Sequence, residues 1–242
     1  MKSAFISGAS HGIGKAIAYE LAKNGYHLAL NCMHSRNELE NLCRRLQEDY
    51  KIDALPLIGD IGDYETVCEL FSAAKARFGS IDLLVNNAGI SYIGLLSEMS
   101  ADEWQKIINT NLSSVFFCCQ QAVPDMVRNK SGRILNISSV WGEVGASCEA
   151  AYSAAKGGVN ALTKALAKEL APSNIQVNAI ACGCIDTRMN ACFDPQERTQ
   201  LESEIPAGRY GTPQEAAQLA WQLLSGSVYL TGQVIRLDGG WI

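Results

Sequence analysis

A tyrosine and a lysine four residues apart, Tyr152 and Lys156, form the pair in this chain with the most readable chemistry. On a helix, residues i and i+4 share one face, so the phenol and the ammonium can lie close together. A phenol titrates near pH ~10, but a neighbouring cation favours the phenolate and lowers that pKa. A tyrosine tuned in this way can give a proton to an alkoxide or take one from an alcohol. Taken alone, the pair also fits an ordinary solvated helix face.

Three glycines follow the first predicted strand, at Gly8, Gly12 and Gly14. Gly8 permits a sharp turn, Gly12 lets the backbone approach a pyrophosphate, and Gly14 allows a helix to pack closely on the strand. The helix that begins here points free N–H groups and the positive end of its dipole at the same place. The pattern predicts a dinucleotide-binding turn, although a glycine-rich turn without a ligand has the same spacing.

The residues after the second predicted strand bear on which dinucleotide binds. An acidic side chain there holds the ribose 2′-hydroxyl of NAD(H) and repels the 2′-phosphate of NADP(H). This chain has no carboxylate between Leu30 and Glu38, and His11 and Arg36 offer polar or basic partners for a phosphate. NADP(H) is therefore favoured over NAD(H).

Short aliphatic runs alternate with longer amphipathic segments along the whole chain. The predicted strands are residues 3–7, 27–31, 54–58, 83–86, 133–138, 176–181 and 233–237. The predicted helices are residues 14–23, 36–48, 64–77, 101–127, 151–170 and 213–224. This alternation predicts an α/β fold: a single-domain, Rossmann-type doubly wound parallel sheet of about seven strands with helices on both faces.

The organisation that follows is one domain with one irregular segment. We expect residues 1–242 to form a single dinucleotide-binding and catalytic domain. The stretch 184–211 follows a predicted strand, and we expect it to be a substrate lid at the carboxyl edge of the sheet.

Composition excludes several other classes of protein. The 242 residues are 48% hydrophobic and 19% charged, as in globular proteins. A formal net charge of -5 argues against nucleic acid as a main partner. No apolar stretch approaches the ~20 residues that would span a membrane, and the early first strand leaves no room for a signal peptide. Nine cysteines, several of them in apolar runs, indicate buried thiols and a cytoplasmic location, and the motif Cys182-Gly183-Cys184 has no second cluster to make a metal site.

Four separated motifs occur together: the glycine turn, Asn86-Asn87-Ala88-Gly89 after the fourth strand, Ser138-Ser139 after the fifth, and Tyr152 with Lys156. On these motifs the chain resembles the short-chain dehydrogenase/reductase family over its whole length. The segments 109–112, 205–209 and 237–240 make it most similar to the 3-oxoacyl-(acyl-carrier-protein) reductases of that family.

The resemblance implies four catalytic residues. Tyr152 would be the general acid and base, and Lys156 would lower its pKa and hydrogen-bond the nicotinamide ribose. Ser139, thirteen residues before Tyr152, would hydrogen-bond the substrate carbonyl oxygen. Ser138 matches this spacing less well. Asn111 would hold a water that links Lys156 to solvent.

The resemblance also implies a set of cofactor contacts. Asp60 would meet the adenine, residues 87–89 would border the adenosine ribose, and Thr187 would contact the cofactor through its hydroxyl. The full set comprises Gly8, Ser10, His11, Gly12, Ile13, Gly14, Arg36, Asp60, Ile61, Asn87, Ala88, Gly89, Tyr152, Lys156, Gly183, Ile185 and Thr187.

One residue departs from the family pattern, and one binding surface that the family implies has an alternative interpretation. Cys182 stands where the family usually has proline, which removes a constraint on φ at the entry to the lid. Arg128 and Lys130 could meet an acidic acyl carrier protein, but they also fit a solvated helix end, and the helix end near Asn174 lacks the second basic residue expected there. The family further implies a homotetramer.

The sequence therefore predicts an NADP(H)-dependent oxidoreductase that reduces a carbonyl to a secondary alcohol. Its substrate would be a small molecule or an acyl thioester, with a 3-oxoacyl thioester favoured by the resemblance. Reduction or oxidation of a sugar, a steroid or a small ketone stays open. A non-catalytic dinucleotide sensor on the same fold is a further alternative.

Overall fold

All seven predicted strands form one parallel sheet in a computed structural model that describes residues 2–191 and 193–242. The strand order is β3-β2-β1-β4-β5-β6-β7. Met1 and Cys192, which belong to the predicted domain and lid, lie outside the described residues. The strands are β1 (Ser3–Ile6), β2 (His27–Cys32), β3 (Ala54–Ile58), β4 (Leu83–Asn86), β5 (Gly132–Ser139), β6 (Ile175–Cys182) and β7 (Val234–Leu237).

Helices cover both faces of the sheet, which confirms the predicted Rossmann-type fold. The helices are α1 (Gly12–Lys23), α2 (Arg36–Tyr50), α3 (Tyr64–Phe78), α4 (Ala101–Ile108), α5 (Ser114–Asn129), α6 (Trp141–Val144), α7 (Ala150–Leu170), α8 (Pro195–Glu204) and α9 (Pro213–Ser225).

The core has two halves, one on each face of the sheet. On one face, α1, α2 and α9 bury aliphatic side chains such as Leu21 and Leu39, both fully inaccessible to solvent. On the other face, α3, α5 and α7 bury side chains such as Phe71 and Val159 against the sheet. Burial of side chains of this size contributes about 1.5–3 kcal/mol each, so the two half-cores hold the sheet edge rigidly in place.

The direction of strand addition reverses between β1 and β4. Chain order runs outward from β1 to β3, and then returns to place β4 on the other side of β1. The loops after β1 and β4 therefore leave the sheet in opposite directions, and a crevice forms at their carboxyl ends. Ser7, directly after β1, bridges the crevice floor, because its hydroxyl oxygen accepts from the N–H groups of Asn87 (3.0 Å) and Ala88 (3.1 Å).

The long helix predicted for residues 101–127 is interrupted. A π-helical segment, Asn109–Ser113, separates α4 from α5. Asn111 lies in this segment, fully buried, and its side chain bonds the backbone of Ile90 on a neighbouring loop. A π segment turns one side chain inward out of the regular helical register, and such segments occur often at functional sites. Amphipathic periodicity alone does not reveal this interruption.

The stretch 184–211 is more ordered than its composition indicates. Its ends meet at a β-bridge between Ile185 and Gly211. It contains α8, whose N-cap Asp194 accepts from the N–H of Glu197 in a reciprocal capping box. Asp194 with Glu197 three residues later, and a proline at the first helical position, is a sequence signal for a helix start that the sequence analysis did not use.

Two kinds of feature are absent from the described residues. No helix in residues 2–191 or 193–242 is both long and apolar enough to cross a membrane. Within the same residues, no group of three or more His, Cys, Asp or Glu side chains could hold a metal ion.

Candidate active site

A cavity of about 810 Å³ lies at the carboxyl edge of the sheet, over the crevice between β1 and β4. We call one part the turn side; it is lined by residues 8, 10–13, 33–35, 60–61 and 87–89. We call the other part the lid side; it is lined by Ile93, Trp141, Gly145, Ala146, Ser147, Glu149, Met189, Phe193, Leu201, Glu204 and Trp241. Ser139, Tyr152, Lys156 and residues 182–185 also line the cavity and join the two sides.

The glycine turn leaves no room for side chains where a cofactor would approach. Gly8 has φ +62°, and a Cβ there would lie 2.8 Å from the Cα of Ala88. A Cβ on Gly14 would lie 2.5 Å from the carbonyl oxygen of Gly8, so helix α1 packs directly on the turn. Gly14 itself is outside the described lining, beneath the turn. These positions fit a pyrophosphate held by backbone N–H groups at the start of α1.

The loop after β4 is tied to the glycine turn. The side-chain amide of Asn87 donates to the carbonyl oxygens of Ser7 (3.0 Å) and Gly8 (2.9 Å). Asn87, Ala88 and Gly89 then line the cavity. Asn86, by contrast, faces the interior and donates to Asn136 on β5 at 2.9 Å, a contact between strands.

The predicted adenine contact lies on the same side. Asp60 and Ile61 line the cavity wall after β3. One carboxylate oxygen of Asp60 accepts from the N–H of Gly62 at 2.7 Å, which orients the side chain. Lys106 of α4 lines both the cavity and an adjoining depression that Asp60 shares, so it belongs to the turn side too.

Ser139 and Tyr152 are hydrogen-bonded to each other through their side chains. Ser139 is the last residue of β5, and its hydroxyl oxygen also accepts from the N–H of Trp141 at 3.2 Å. Ser138 instead points into the core, where its hydroxyl donates to Asn160 at 2.6 Å. The spacing argument that favoured Ser139 over Ser138 agrees with this geometry. Two adjacent hydroxyls on the cavity wall can bind one carbonyl oxygen and stabilise charge that develops on it.

Lys156 is buried one helical turn beyond Tyr152. Its ammonium donates to the carbonyl oxygen of Ile137 at 2.8 Å and lies 5.7 Å from the centre of the Tyr152 ring. Burial lowers the pKa of Lys156 to about 8. Burial also raises the pKa of Tyr152, while the hydrogen bond from Ser139 opposes that rise. Burial of the phenol is the largest influence on its pKa, and the lowering of that pKa by Lys156 stays a prediction.

Asn111 lies behind the cavity wall rather than on its described lining. Its amide accepts from the N–H of Ile90 and donates to the carbonyl oxygen of Ile90, both at 2.8 Å. A Cβ on Gly89 would lie 3.4 Å from the Asn111 side-chain oxygen and 3.6 Å from the Lys156 nitrogen. Asn111 and Lys156 thus approach the same glycine, and the water-mediated connection between them stays a prediction.

The segment after β6 crosses the middle of the cavity. The carbonyl oxygen of Cys182 accepts from the N–H of Val140 at 3.0 Å, and the N–H of Gly183 donates to Leu237 at 2.9 Å. A Cβ on Gly183 would lie 2.8 Å from the Cα of Asp238, so the strand ends pack closely here. These backbone bonds hold the segment although Cys182 replaces the family's proline. Burial raises the pKa of the Cys182 thiol to about 12, so the thiol is neutral at physiological pH.

Thr187 reaches over the glycine turn from the lid. A Cβ on Gly12 would lie 3.3 Å from the Thr187 methyl group. The next residue, Arg188, makes two hydrogen bonds to Glu38 of α2, at 2.7 and 3.2 Å. This ion pair joins positions 150 residues apart, and local spacing in the sequence gave no signal for it.

Most predicted cofactor residues converge on the cavity, but Arg36 does not. The described lining includes Gly8, Ser10, His11, Gly12, Ile13, Asp60, Ile61, Asn87, Ala88, Gly89, Tyr152, Lys156, Gly183, Ile185 and Thr187. The Arg36 side chain pairs with Glu40 at 3.5 Å on the exposed face of α2. His11 lines the turn side, bonded to the Ser10 hydroxyl at 2.8 Å, and burial lowers its pKa.

The lid side is mostly apolar. Trp141 and Trp241 contact edge to face, with ring centres 4.9 Å apart, and the sequence gave no signal that Trp241 lines the cavity. Met189 and Phe193 also line this side, whereas Val144 is 54% exposed and is outside the described lining. Glu149 lines it too, three residues before Tyr152 and on the same helical turn.

Comparison with known proteins gives one family. A family model described as short chain dehydrogenase matches residues 2–198. The uncharacterized oxidoreductase YmfI of Bacillus subtilis is 41% identical over 241 residues, which cover 99% of this chain and 98% of that protein. The 3-oxoacyl-(acyl-carrier-protein) reductase FabG of Staphylococcus aureus is 40% identical over 240 residues, 99% of this chain and 97% of that protein. The solved structure of a 3-oxoacyl-(acyl-carrier-protein) reductase from Brucella melitensis has a TM-score of 0.93 at 32% identity, covering 100% of this chain and 91% of the other.

These matches extend over the glycine turn, the crevice and the Ser139–Tyr152 pair. They confirm the resemblance drawn from the four motifs. With its dinucleotide cradle and its pair of cavity hydroxyls, the chain belongs to the short-chain dehydrogenase/reductase family of oxidoreductases, which bind NAD or NADP.

Proposed function

We propose that the chain is an NADP(H)-dependent reductase that converts the ketone of a 3-oxoacyl thioester to a secondary alcohol. The observation that carries this proposal is the hydrogen-bonded pair of Ser139 and Tyr152 on the wall of a cavity that also holds the glycine turn. The similarity to reductases named for 3-oxoacyl-carrier substrates, at 40% identity over nearly the whole chain, supports the choice of substrate.

The roles of the chain's own residues follow from their positions. The bound nicotinamide supplies the hydride. Ser139 donates a hydrogen bond to the ketone oxygen and stabilises the negative charge that develops there. Tyr152 then gives that oxygen its phenolic proton. Lys156 places a positive charge near the phenol, and Asn111, packed beside the same glycine as Lys156, helps to return a proton from solvent.

Burial of Tyr152 suits it to the role of acid. A phenol in an apolar wall stays protonated at neutral pH, since desolvation disfavours the phenolate. The proton is therefore present when the substrate oxygen becomes negative. In the direction of alcohol oxidation the same burial opposes catalysis at neutral pH, and we propose reduction as the favoured direction.

The preference for NADP(H) rests on the charges around the turn side. Met33, His34 and Ser35 line the cavity after β2, where a carboxylate would select NAD(H). The carboxylate of Glu38 is held by two hydrogen bonds from Arg188, which offset its negative charge. His11 adds a donor at the same place. Arg36 would need to break its ion pair with Glu40 before it could bind the 2′-phosphate of NADP(H).

Partners and assembly are extensions of the same proposal. An acidic acyl carrier protein would dock at Arg128 and Lys130, at the end of α5. Arg128 is 73% exposed and pairs with Asp125.

We further propose a homotetramer in which α5 packs against a second copy and covers Phe116, which is 48% exposed. Every cysteine in the described part of the chain is free, in keeping with a cytoplasmic location.

Oxidation of NADPH with a panel of carbonyl compounds tests the proposal. The panel sets an acetoacetyl thioester of N-acetylcysteamine against hexoses, a 3-ketosteroid and butanone, and each reaction is repeated with NADH. We expect the thioester to have the highest kcat/KM and NADPH to exceed NADH at least tenfold. A higher kcat/KM for a sugar, steroid or simple ketone would replace the substrate, and equal use of NADH would overturn the cofactor preference. Cofactor binding without turnover of any compound would favour a dinucleotide sensor.

A further inference from the structure

Glu149 lies on the cavity wall one helical turn before Tyr152. It is the N-cap of α7, and its carbonyl oxygen accepts from the N–H of Ser153 at 2.9 Å. Its carboxylate is hydrogen-bonded by the Trp141 side chain, whose only polar hydrogen is the indole N–H. The carboxylate is therefore held in place from the substrate side of the cavity, close to the proposed proton donor.

The field of this carboxylate reaches the reaction centre. Burial raises the pKa of Tyr152 and the pKa of Cys184, and the nearby Glu149 adds to the rise in both; both side chains line the cavity. Glu204, at the end of α8, adds to the rise in the pKa of Cys184. The lid side thus carries two acidic side chains, Glu149 at the start of α7 and Glu204 at the end of α8.

The basic side chains of the described cavity lining lie elsewhere. They are Lys156, Lys106, His11 and His34, and no arginine is among the described lining residues. Lys156 is bonded to the carbonyl oxygen of Ile137. The other three belong to the turn side. A carboxylate on a substrate would therefore meet Glu149 without the arginine or lysine that normally pairs with such a group.

We propose that Glu149 is a charge filter in the substrate site: it admits 3-oxo compounds whose acid group is esterified or thioesterified and excludes the free 3-oxo acids. This inference rests on the proposed reduction of a ketone and adds a substrate class to it. In an acyl thioester the carbonyl next to the ketone is uncharged, so it approaches Glu149 without repulsion. In the free acid a full negative charge stands two carbons from the reacting ketone, within the range of the Glu149 carboxylate.

The test compares ethyl acetoacetate with acetoacetate, which share the 3-ketone; the ester replaces the negatively charged acid group with an uncharged ethyl ester. For the wild-type enzyme with NADPH at pH 7.5, we expect kcat/KM for the ester to exceed that for the acid at least 100-fold. Glu149→Gln keeps an acceptor for Trp141 and removes the charge. We expect it to reduce the ratio roughly tenfold or more, mainly by raising kcat/KM for the acid.

A matched control and a charge reversal isolate the effect. Glu169→Gln makes the same change in net charge at the exposed far end of α7, about 30 Å away, and should leave the ratio unchanged. Glu149→Lys should reduce the ratio further than Glu149→Gln. Thermal unfolding of each variant checks that the fold persists.

Each outcome of these measurements supports or overturns either the charge filter at Glu149 or the thioester as substrate. Comparable wild-type kcat/KM for ester and acid overturns the filter, as does an unchanged ratio in a folded Glu149→Gln variant. Failure of the wild-type enzyme to reduce the ester overturns it too, since an uncharged 3-oxo compound must pass. A relaxed ratio in Glu149→Gln, together with no reduction of the acetoacetyl thioester, leaves the filter standing and overturns only the thioester as substrate.

Discussion

The turn side and the lid side of the cavity are built in different ways. The turn side is held by amide hydrogen bonds: Asn87 bonds the glycine turn, and Asn111, fully inaccessible to solvent, bonds Ile90 behind the cavity wall. The lid segment 184–211 is joined to α2 by exposed side chains: Arg188 and Glu38 meet with 63% and 44% of their side-chain surfaces exposed. A buried hydrogen-bond network in a low dielectric is strong and difficult to rearrange, whereas exposed ion pairs are weak.

This difference matches what each side has to do. The dinucleotide presents the same phosphates and riboses whichever substrate is bound, so a rigid cradle made of backbone suits it. Substrates enter and leave on the lid side, where segments held by weak contacts can move. The two sides should therefore respond very differently to single substitutions.

The largest expected effect on the free energy of unfolding comes from Lys156, whose buried ammonium lies between the turn side and the lid side. Lys156 has a folded-state pKa of about 8 against 10.5 unfolded, so the unfolded chain binds more protons between these values, and stability rises with pH across that window. The free energy of unfolding of the wild type minus that of Lys156→Met should increase by about 3 kcal/mol between pH 8 and pH 10.5. Urea unfolding measures this, with Cys182→Ala in both proteins so that the coupled thiol does not titrate. A difference that is flat with pH would contradict a buried, desolvated ammonium.

The next effect concerns the cradle itself. In Gly14→Ala the added methyl group would lie 2.5 Å from the Gly8 carbonyl oxygen, and overpacking of this kind costs about 1–3 kcal/mol. We expect loss of stability together with at least tenfold weaker NADPH binding, measured by thermal unfolding and by cofactor fluorescence. Gly25→Ala is the control, because its Cβ would meet nothing within 4 Å. Gly25→Ala should lower stability, because residue 25 has a positive φ, and should leave NADPH binding unchanged. If Gly25→Ala weakened NADPH binding as much as Gly14→Ala does, a steric role for the glycine turn would be contradicted.

The smallest effect is expected at the lid. Removal of the exposed Arg188–Glu38 pair should change stability by about 0.2–1 kcal/mol, as measured by a double-mutant cycle with Arg188→Met and Glu38→Gln. The kcat/KM for the cofactor should change about fivefold or less. Arg77→Met removes a comparable exposed pair with Asp53 near the opposite edge of the sheet, and should not affect kinetics. A decrease of more than 100-fold in kcat/KM for the cofactor in Arg188→Met would show that the contact between Arg188 and Glu38 is not weak.

The same contrast explains what could be predicted from the sequence. The turn side depends on glycines and amides at fixed short spacings, so Gly8, Gly14 and residues 86–89 were readable, and the fold and family that they indicated are confirmed. The catalytic and cofactor roles of individual residues stay predictions.

The lid side depends on contacts between distant segments. Arg188 meets Glu38 across 150 residues, and Trp141 meets Trp241 near the C-terminus, so no local pattern marks either contact. Burial of Tyr152 was not readable for a related reason: the i and i+4 spacing brings Lys156 near, but the burial that raises the pKa of the phenol depends on the whole fold. The π segment at Asn111 has the same origin, since its partner Ile90 belongs to another loop.

We propose that Tyr152 donates the proton in a cavity whose turn side binds the dinucleotide independently. The Tyr152→Phe variant tests both parts of this proposal, through NADPH affinity by fluorescence titration and turnover of the best substrate on the same preparation. We predict that the dissociation constant for NADPH changes about twofold or less while kcat falls roughly 10²- to 10⁴-fold. Near-normal turnover in the Tyr152→Phe variant, or loss of NADPH binding with the fold intact, would contradict the account.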